Sequence, residues 1–227
     1  MDDQFQSTTA GAASRRATPD LVLIGGGGHA KVVIAIVRKL NTYRIIGYTD
    51  RDDRGLVLNI PFLGFDKNLS DLAADSERLA AVLAVGQVGL GETRCELFTR
   101  VQAPPLYFPS IVSPDAIVNQ GVAIGDCTVV MDGVVINSDA RIGCGAIVNT
   151  NATIEHDVVL ADWVHVGPGA VISGGTTIGR FSMIGAGATV IEGIHIADRC
   201  MVGAGAAVVH DLTESGVYVG SPARRIR

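Results

Sequence analysis

Rings are scarce in this 227-residue chain: aromatic residues make up 5% of it, against 48% apolar residues and 28 glycines. A core of Val, Ile, Ala and Gly without rings points to narrow, repeated layers of small side chains, not to a globule packed around large ones. Cysteine is sparse and unpatterned. Cys95, Cys127, Cys144 and Cys200 form no CxxC pair or regular spacing, which argues against a disulfide framework or a zinc ribbon and for buried thiols. Basic charge is in deficit: 18 Lys and Arg against 23 Asp and Glu give a formal charge of −5, with no electrostatic footprint for nucleic acid or an anionic membrane. No apolar run approaches the ~20 residues of a transmembrane helix. Residues 1–19 lack the apolar stretch of a signal peptide, so they are expected to be a disordered leader on a cytoplasmic protein.

What is present divides in two. Residues 20–105 alternate strand, glycine loop, helix and strand. Strands are predicted at 21–24, 44–48 and 79–85, with helices at 30–40 and 93–101, which together make a small, incomplete Rossmann-like α/β sheet. Prolines 104, 105, 109 and 114 then mark a boundary. From 106 to 213 the period changes. Every sixth residue from Val112 to Val208 is aliphatic, seventeen positions without an exception, and a small or β-branched residue stands two places before most of them. A fixed period of six with two inward phases is the pattern of a β-solenoid whose hexapeptides form short flat sides and whose coils stack ~4.8 Å apart. Three sides close a coil of 18 residues. Gly or Asn often follows the aliphatic position, as at Asn119, Gly125 and Gly143, and the chain is expected to turn its corners there. Residues 214–227 read as a C-terminal tail.

The unbroken hexapeptides, the segment Ile154-Glu155-His156-Asp157 and the closing Val219-Gly220-Ser221-Pro222-Ala223-Arg224 resemble the hexapeptide-repeat acyltransferases. The run Gly25-Gly26-Gly27-Gly28-His29-Ala30-Lys31 narrows the resemblance to nucleotide-sugar N-acetyltransferases of the kind that make bacillosamine and perosamine derivatives, with sialic-acid O-acetyltransferases as close relatives. The resemblance covers residues 21–227. It implies a left-handed parallel β-helix, where the usual crossover rule would have given the right hand. It further implies a homotrimer, acetyl-CoA lying between adjacent β-helices, and a nucleotide-linked amino sugar held by the α/β domain. Spacing supports the assembly independently. His156 and His165 are nine residues apart, half a coil, so they leave one prism from different sides roughly 15 Å apart. A reaction that uses both needs two subunits.

Acetyl transfer to an amine needs a base for the amine proton and donors for the oxyanion. His156 is the expected base, with Gly174 one coil later leaving room beside it. Asp157, or failing that Glu155, is expected to orient its ring. By resemblance His165 lies near the thioester, Gly174, Ala186 and Gly203 or Ala204 supply a backbone track for the pantetheine arm, and Arg224 or Arg225 meets coenzyme phosphates. His195 and His210 are left out. No metal is expected, because three histidines do not converge.

Gly25, Gly27 and Ala30, with Asp50 at the end of the next strand, match the dinucleotide fingerprint and taken alone would suggest NAD. The domain is too short for two mononucleotide halves, whereas the same cradle suits one sugar nucleotide. Gly26, Gly27, Gly28 and His29 are therefore placed at its diphosphate and sugar, and Asp50 and Arg51 at its base or ribose. The favoured reaction is acetylation of the 4-amino group of a UDP-linked 4-amino-4,6-dideoxy sugar by direct attack. GDP-perosamine N-acetylation and sialic-acid O-acetylation are its rivals. A non-catalytic solenoid, such as a scaffold or an ice-binding one, would need regular outward arrays of Thr or a flat apolar face, and the outward phases here are mixed.

Overall fold

The computed structural model describes residues 18–74, 78–102 and 104–227. The expected leader lies outside these except for its last two residues.

The amino-terminal unit is a five-stranded parallel sheet: β1 (Asp20–Ile24), β2 (Arg44–Thr49), β3 (Phe62–Gly64), β4 (Leu79–Leu83) and β5 (Leu106–Tyr107), in the order β3-β2-β1-β4-β5. Helices α1 (Gly28–Leu40), α2 (Leu69–Ala74) and α3 (Glu92–Val101) connect them. The central strands β1 and β4 are buried along almost their whole length, which explains their near-continuous apolar runs. The edge strands β3 and β5 are three and two residues long, too short to show in the pattern. Gly25 has φ +107, and a Cβ there would fall 2.6 Å from a Val85 methyl, so only glycine lets β1 turn into α1 at this point.

Beyond Pro109 the chain winds as a three-sided, left-handed parallel β-helix with sheets of six, five and eight strands. Partners in register stand one coil apart, as in the ladder Ile117, Val135, Thr153, Val171, Thr189 and Ala207. The aliphatic column is buried from Val130 to Val208, and the small column packs beside it. Where that second column is polar, the hydroxyl is satisfied: Thr128 Oγ1 donates to the Gly143 carbonyl and Ser182 Oγ to that of Ala197.

The corners differ from expectation in phase. Left-handed backbone recurs every sixth residue from Gly121 to Gly205, three places after the aliphatic position instead of one. The glycines one place after it serve close approach of coils: a Cβ on Gly143 would lie 2.6 Å from the Ala161 carbonyl carbon. The expected tail is also built into the sheet. Gly216–Val219 pairs with Cys200–Val202, and Arg224–Arg225 returns antiparallel.

The α/β unit sits on the eight-stranded sheet. Its helix α1 joins a core with Ile111, Val129, Met131 and Ile147, while α3 packs with Phe108 and Trp163. Arg94 of α3 crosses the seam almost fully buried, donating to the carbonyls of Val85 (3.1 Å) and Gly145 (2.6 Å). Burial pushes its guanidinium down to about 10. No helix among the described residues is long and apolar enough to cross a membrane.

Candidate active site

A cavity of about 690 Å³ opens where the carboxyl ends of the parallel strands face the β-helix. This is the edge at which open α/β sheets take their ligands. Its wall brings together Gly27, Gly28, His29, Asp50 and Arg51 from the α/β unit with Asn149 and His165 from the solenoid. Gly27 caps α1 without a side-chain hydrogen bond, leaving the first helical amides to face an anion. Gly26 lies behind the wall, under the Tyr48 ring, and its amide donates to Asp50 Oδ2 at 2.8 Å. That carboxylate also accepts from the Arg51 amide at 2.6 Å and from Arg54 Nε at 2.9 Å. Asp50 therefore binds the glycine loop to the end of β2, and Arg51 and Arg54 extend from it into the cavity.

Two histidines close the inner end. Burial, reinforced by the charge of Arg94, drives His29 down to about 3 and His165 to about 4, and both are neutral at ordinary pH. Asn149 Nδ2 stands 3.4 Å from His165 Nε2; with that nitrogen accepting, the ring proton sits on Nδ1. His165 Nδ1 and His29 Nε2 are both buried without a hydrogen-bond partner among the described residues. Such atoms are costly to leave unmade and are suited to a polar ligand.

His156 is elsewhere. It stands exposed at the corner between the six- and five-stranded sheets, whereas His165 lies on the eight-stranded one. Asp157 has left-handed backbone, φ 58, which turns its carboxylate back to 2.9 Å from His156 Nδ1. The ring covers Gly174, where a Cβ would fall 2.7 Å from Cε1. The hydrogen bond that His156 Nδ1–H donates to Asp157, helped by the charges of Asp157, Glu155 and Glu192, holds the imidazole above its usual 6.5. The base role expected of His156 requires its neutral form, so kcat/KM is expected to fall as pH drops through the raised pKa of this imidazole. In Asp157→Asn the acidic limb should move to lower pH while the plateau falls about tenfold. A pH–rate profile checks both; an unmoved limb would remove Asp157 from the account.

The expected coenzyme residues fall on two edges, Ala186 and Gly203 at the corner between the eight- and six-stranded sheets and Gly174 at the His156 corner. Gly203 lies three coils, roughly 14 Å, beyond Asn149 in the same column, and Ala186 stands on the adjoining column. The amides of Gly174, Ala186 and Ala204 donate to no acceptor among the described residues, which fits a pantetheine arm. Arg224 is exposed and has no carboxylate partner among them, whereas Arg225 is held by Glu214 at 2.6 Å. Thr177 Oγ1 lies 2.8 Å from His195 Nδ1, well away from the cavity wall. No group of three His, Cys, Asp or Glu among the described residues is placed to hold a metal ion. Sequence reasoning missed Arg54, Asp66, Gln87 and Asn149 on the cavity wall. Asn149 alone carried a signal, since it directly follows the aliphatic Val148, which pairs with Val166 beside His165.

A β-helix of hexapeptides fused to a glycine-loop α/β unit is the build of a hexapeptide-repeat transferase. The PglD N-terminal domain matches residues 20–100, and the bacterial transferase hexapeptide family, six repeats, matches 139–174. PerB from Caulobacter crescentus, solved in complex with CoA and GDP-perosamine, is 35% identical with a TM-score of 0.86, over 93% of this chain and 99% of that one. The acetyltransferase domain of PglB from Neisseria gonorrhoeae, in complex with acetyl coenzyme A, is 33% identical with a TM-score of 0.85, over 92% and 100%. WeeI from Acinetobacter baumannii, 22% identical with a TM-score of 0.81 over 92% and 100%, shares the fold. No curated protein matches the chain. The chain belongs to the hexapeptide-repeat nucleotide-sugar N-acetyltransferases and is an acetyl-CoA-dependent acyltransferase.

Proposed function

We propose that the protein acetylates the 4-amino group of a nucleotide-linked 4-amino-4,6-dideoxy sugar, working as a homotrimer with each site shared by two subunits. The observation that carries this reading is the single cavity that runs from the glycine cradle to His165 and Asn149. A diphosphate at the amino end of α1 delivers its sugar to the solenoid surface from which the coenzyme track rises. Arg224 lies four strand spacings, roughly 19 Å, beyond His165 on the same sheet, a reach that suits the phosphates of a coenzyme whose thioester is at His165. The CoA and GDP-perosamine bound by PerB support both ligand classes.

His156 Nε2 is the proton acceptor. With Nδ1–H donating to Asp157, the lone pair is on Nε2, and a neighbouring copy brings the amine to it. The neutral sugar amine attacks the thioester carbonyl, and the new C–N bond forms as Nε2 takes the amine proton. Collapse of the tetrahedral intermediate breaks the C–S bond, and the imidazolium returns the proton to the departing thiolate. His165 Nδ1–H is the donor aimed at the carbonyl oxygen. Exposed Ile117, Val159, Val171 and Ile191 stand on the two sheets that meet at the His156 corner, an apolar face of the kind a second copy covers.

Release of free thiol from acetyl-CoA, measured with UDP- and GDP-linked 4-amino sugars and with sialic acid, tests the assignment. Turnover is expected with an amino-sugar nucleotide. Release with sialic acid alone would make the protein an O-acetyltransferase and overturn it.

A further inference from the structure

We infer that the nucleotide base read by this cavity is guanine and that Asp66 is the residue that reads it. This rests on the nucleotide-sugar reading above. The sheet order places the parts of the ligand: the diphosphate cradle follows β1, the β-helix lies on the β4 side, and β2 and β3 lie on the other. A sugar directed toward His165 therefore sends its base toward the ends of β2 and β3. From β3 to β4 is three strand spacings, roughly 14 Å, which suits a nucleoside diphosphate carrying a hexose.

Two carboxylates line that end of the cavity, and they differ in what they have left to offer. Asp50 already accepts three hydrogen bonds, from Gly26, Arg51 and Arg54. Asp66, just beyond β3, accepts one hydrogen bond, from Thr49 Oγ1 to Oδ1 at 2.8 Å, and Oδ2 accepts none among the described residues. The Thr49 contact fixes the carboxylate plane at the β2 end and leaves an acceptor-only group on the wall. Guanine offers such a group two adjacent donors, N1–H and the N2 amine, while Arg51 and Arg54 stand on the same wall for O6 and N7. Uracil offers a single N3–H between two carbonyl oxygens that a carboxylate repels. Adenine offers a donor beside an acceptor. A site built to accept two donors rejects a base that supplies one. This reverses the order expected from the sequence, which put UDP ahead of GDP.

Calorimetric titration of the full chain, in the presence of CoA, with GDP, UDP and inosine diphosphate tests the inference. Inosine diphosphate differs from GDP only by lacking the N2 amine. GDP is expected to bind at least tenfold more tightly than UDP and about tenfold more tightly than inosine diphosphate. Asp66→Asn keeps an oxygen for Thr49 and should bring GDP and inosine diphosphate level while leaving UDP unchanged. UDP binding as tight as GDP, or equal binding of GDP and inosine diphosphate by the unaltered protein, would overturn the guanine assignment alone. Failure of all three to bind would overturn the nucleotide-sugar reading and this inference with it.

Discussion

Replacing His156 by Ala is expected to lower kcat by about 10²–10⁴-fold, the usual loss when a positioned base is removed. Little else should change. The imidazole is exposed, lies over the Gly174 backbone and belongs to no core cluster, so its loss should leave the melting temperature essentially unchanged. The free amides of Ala186 and Ala204, proposed to meet the coenzyme, stand at the other corner of the prism and do not depend on the ring. Unchanged melting, assembly and CoA affinity, beside a collapsed thiol-release rate, form the expected combination. Undiminished turnover would mean that the amine proton goes to another acceptor.

Gly27→Asp should abolish nucleotide binding, by more than about a hundredfold, and spare the fold. The backbone at Gly27 has φ −81, open to any residue, and a Cβ there meets nothing within 4 Å. It is also the N-cap of α1, a position where Asp is among the favoured residues, so the melting temperature should hold or rise slightly. The added carboxylate would occupy the amides proposed to hold the diphosphate and repel it. CoA binding, on the other side of His165, should be unaffected. Nucleotide affinity retained in this variant, measured by calorimetry, would place the diphosphate somewhere other than the glycine loop.

The solenoid was legible because its contacts repeat at one fixed separation: an aliphatic residue at every sixth place declares both the inward face and the partner one coil away. The corners were misread because glycine serves two ends. At Gly143 it permits close stacking, while the left-handed position three places after the aliphatic residue is often filled by Asp139, Asn151, Asp157 or even Trp163. The His156–Asp157 pair stood out because it is local in sequence, although the left-handed turn that brings the Asp157 carboxylate to Nδ1 was not evident. Arg94 and Asp66 carried no local pattern. The first matters because it reaches Gly145, 51 residues away, and the second because β3, only three residues long, sets it at the sheet edge beside Thr49. Roles that depend on long-range packing of single polar side chains leave no period to find.

Mixed assembly gives the most direct test of a site divided between chains. His156→Ala removes the proposed proton acceptor and Gly27→Asp the proposed nucleotide cradle, so each alone should be nearly inactive. Unfolded, mixed in equal amounts and reassembled, the two variants should recover about a quarter of the unaltered rate, the share of interfaces that pair an intact cradle with an intact imidazole from the next copy. A mixture as inactive as its components would put both halves of the chemistry within one chain and contradict the account.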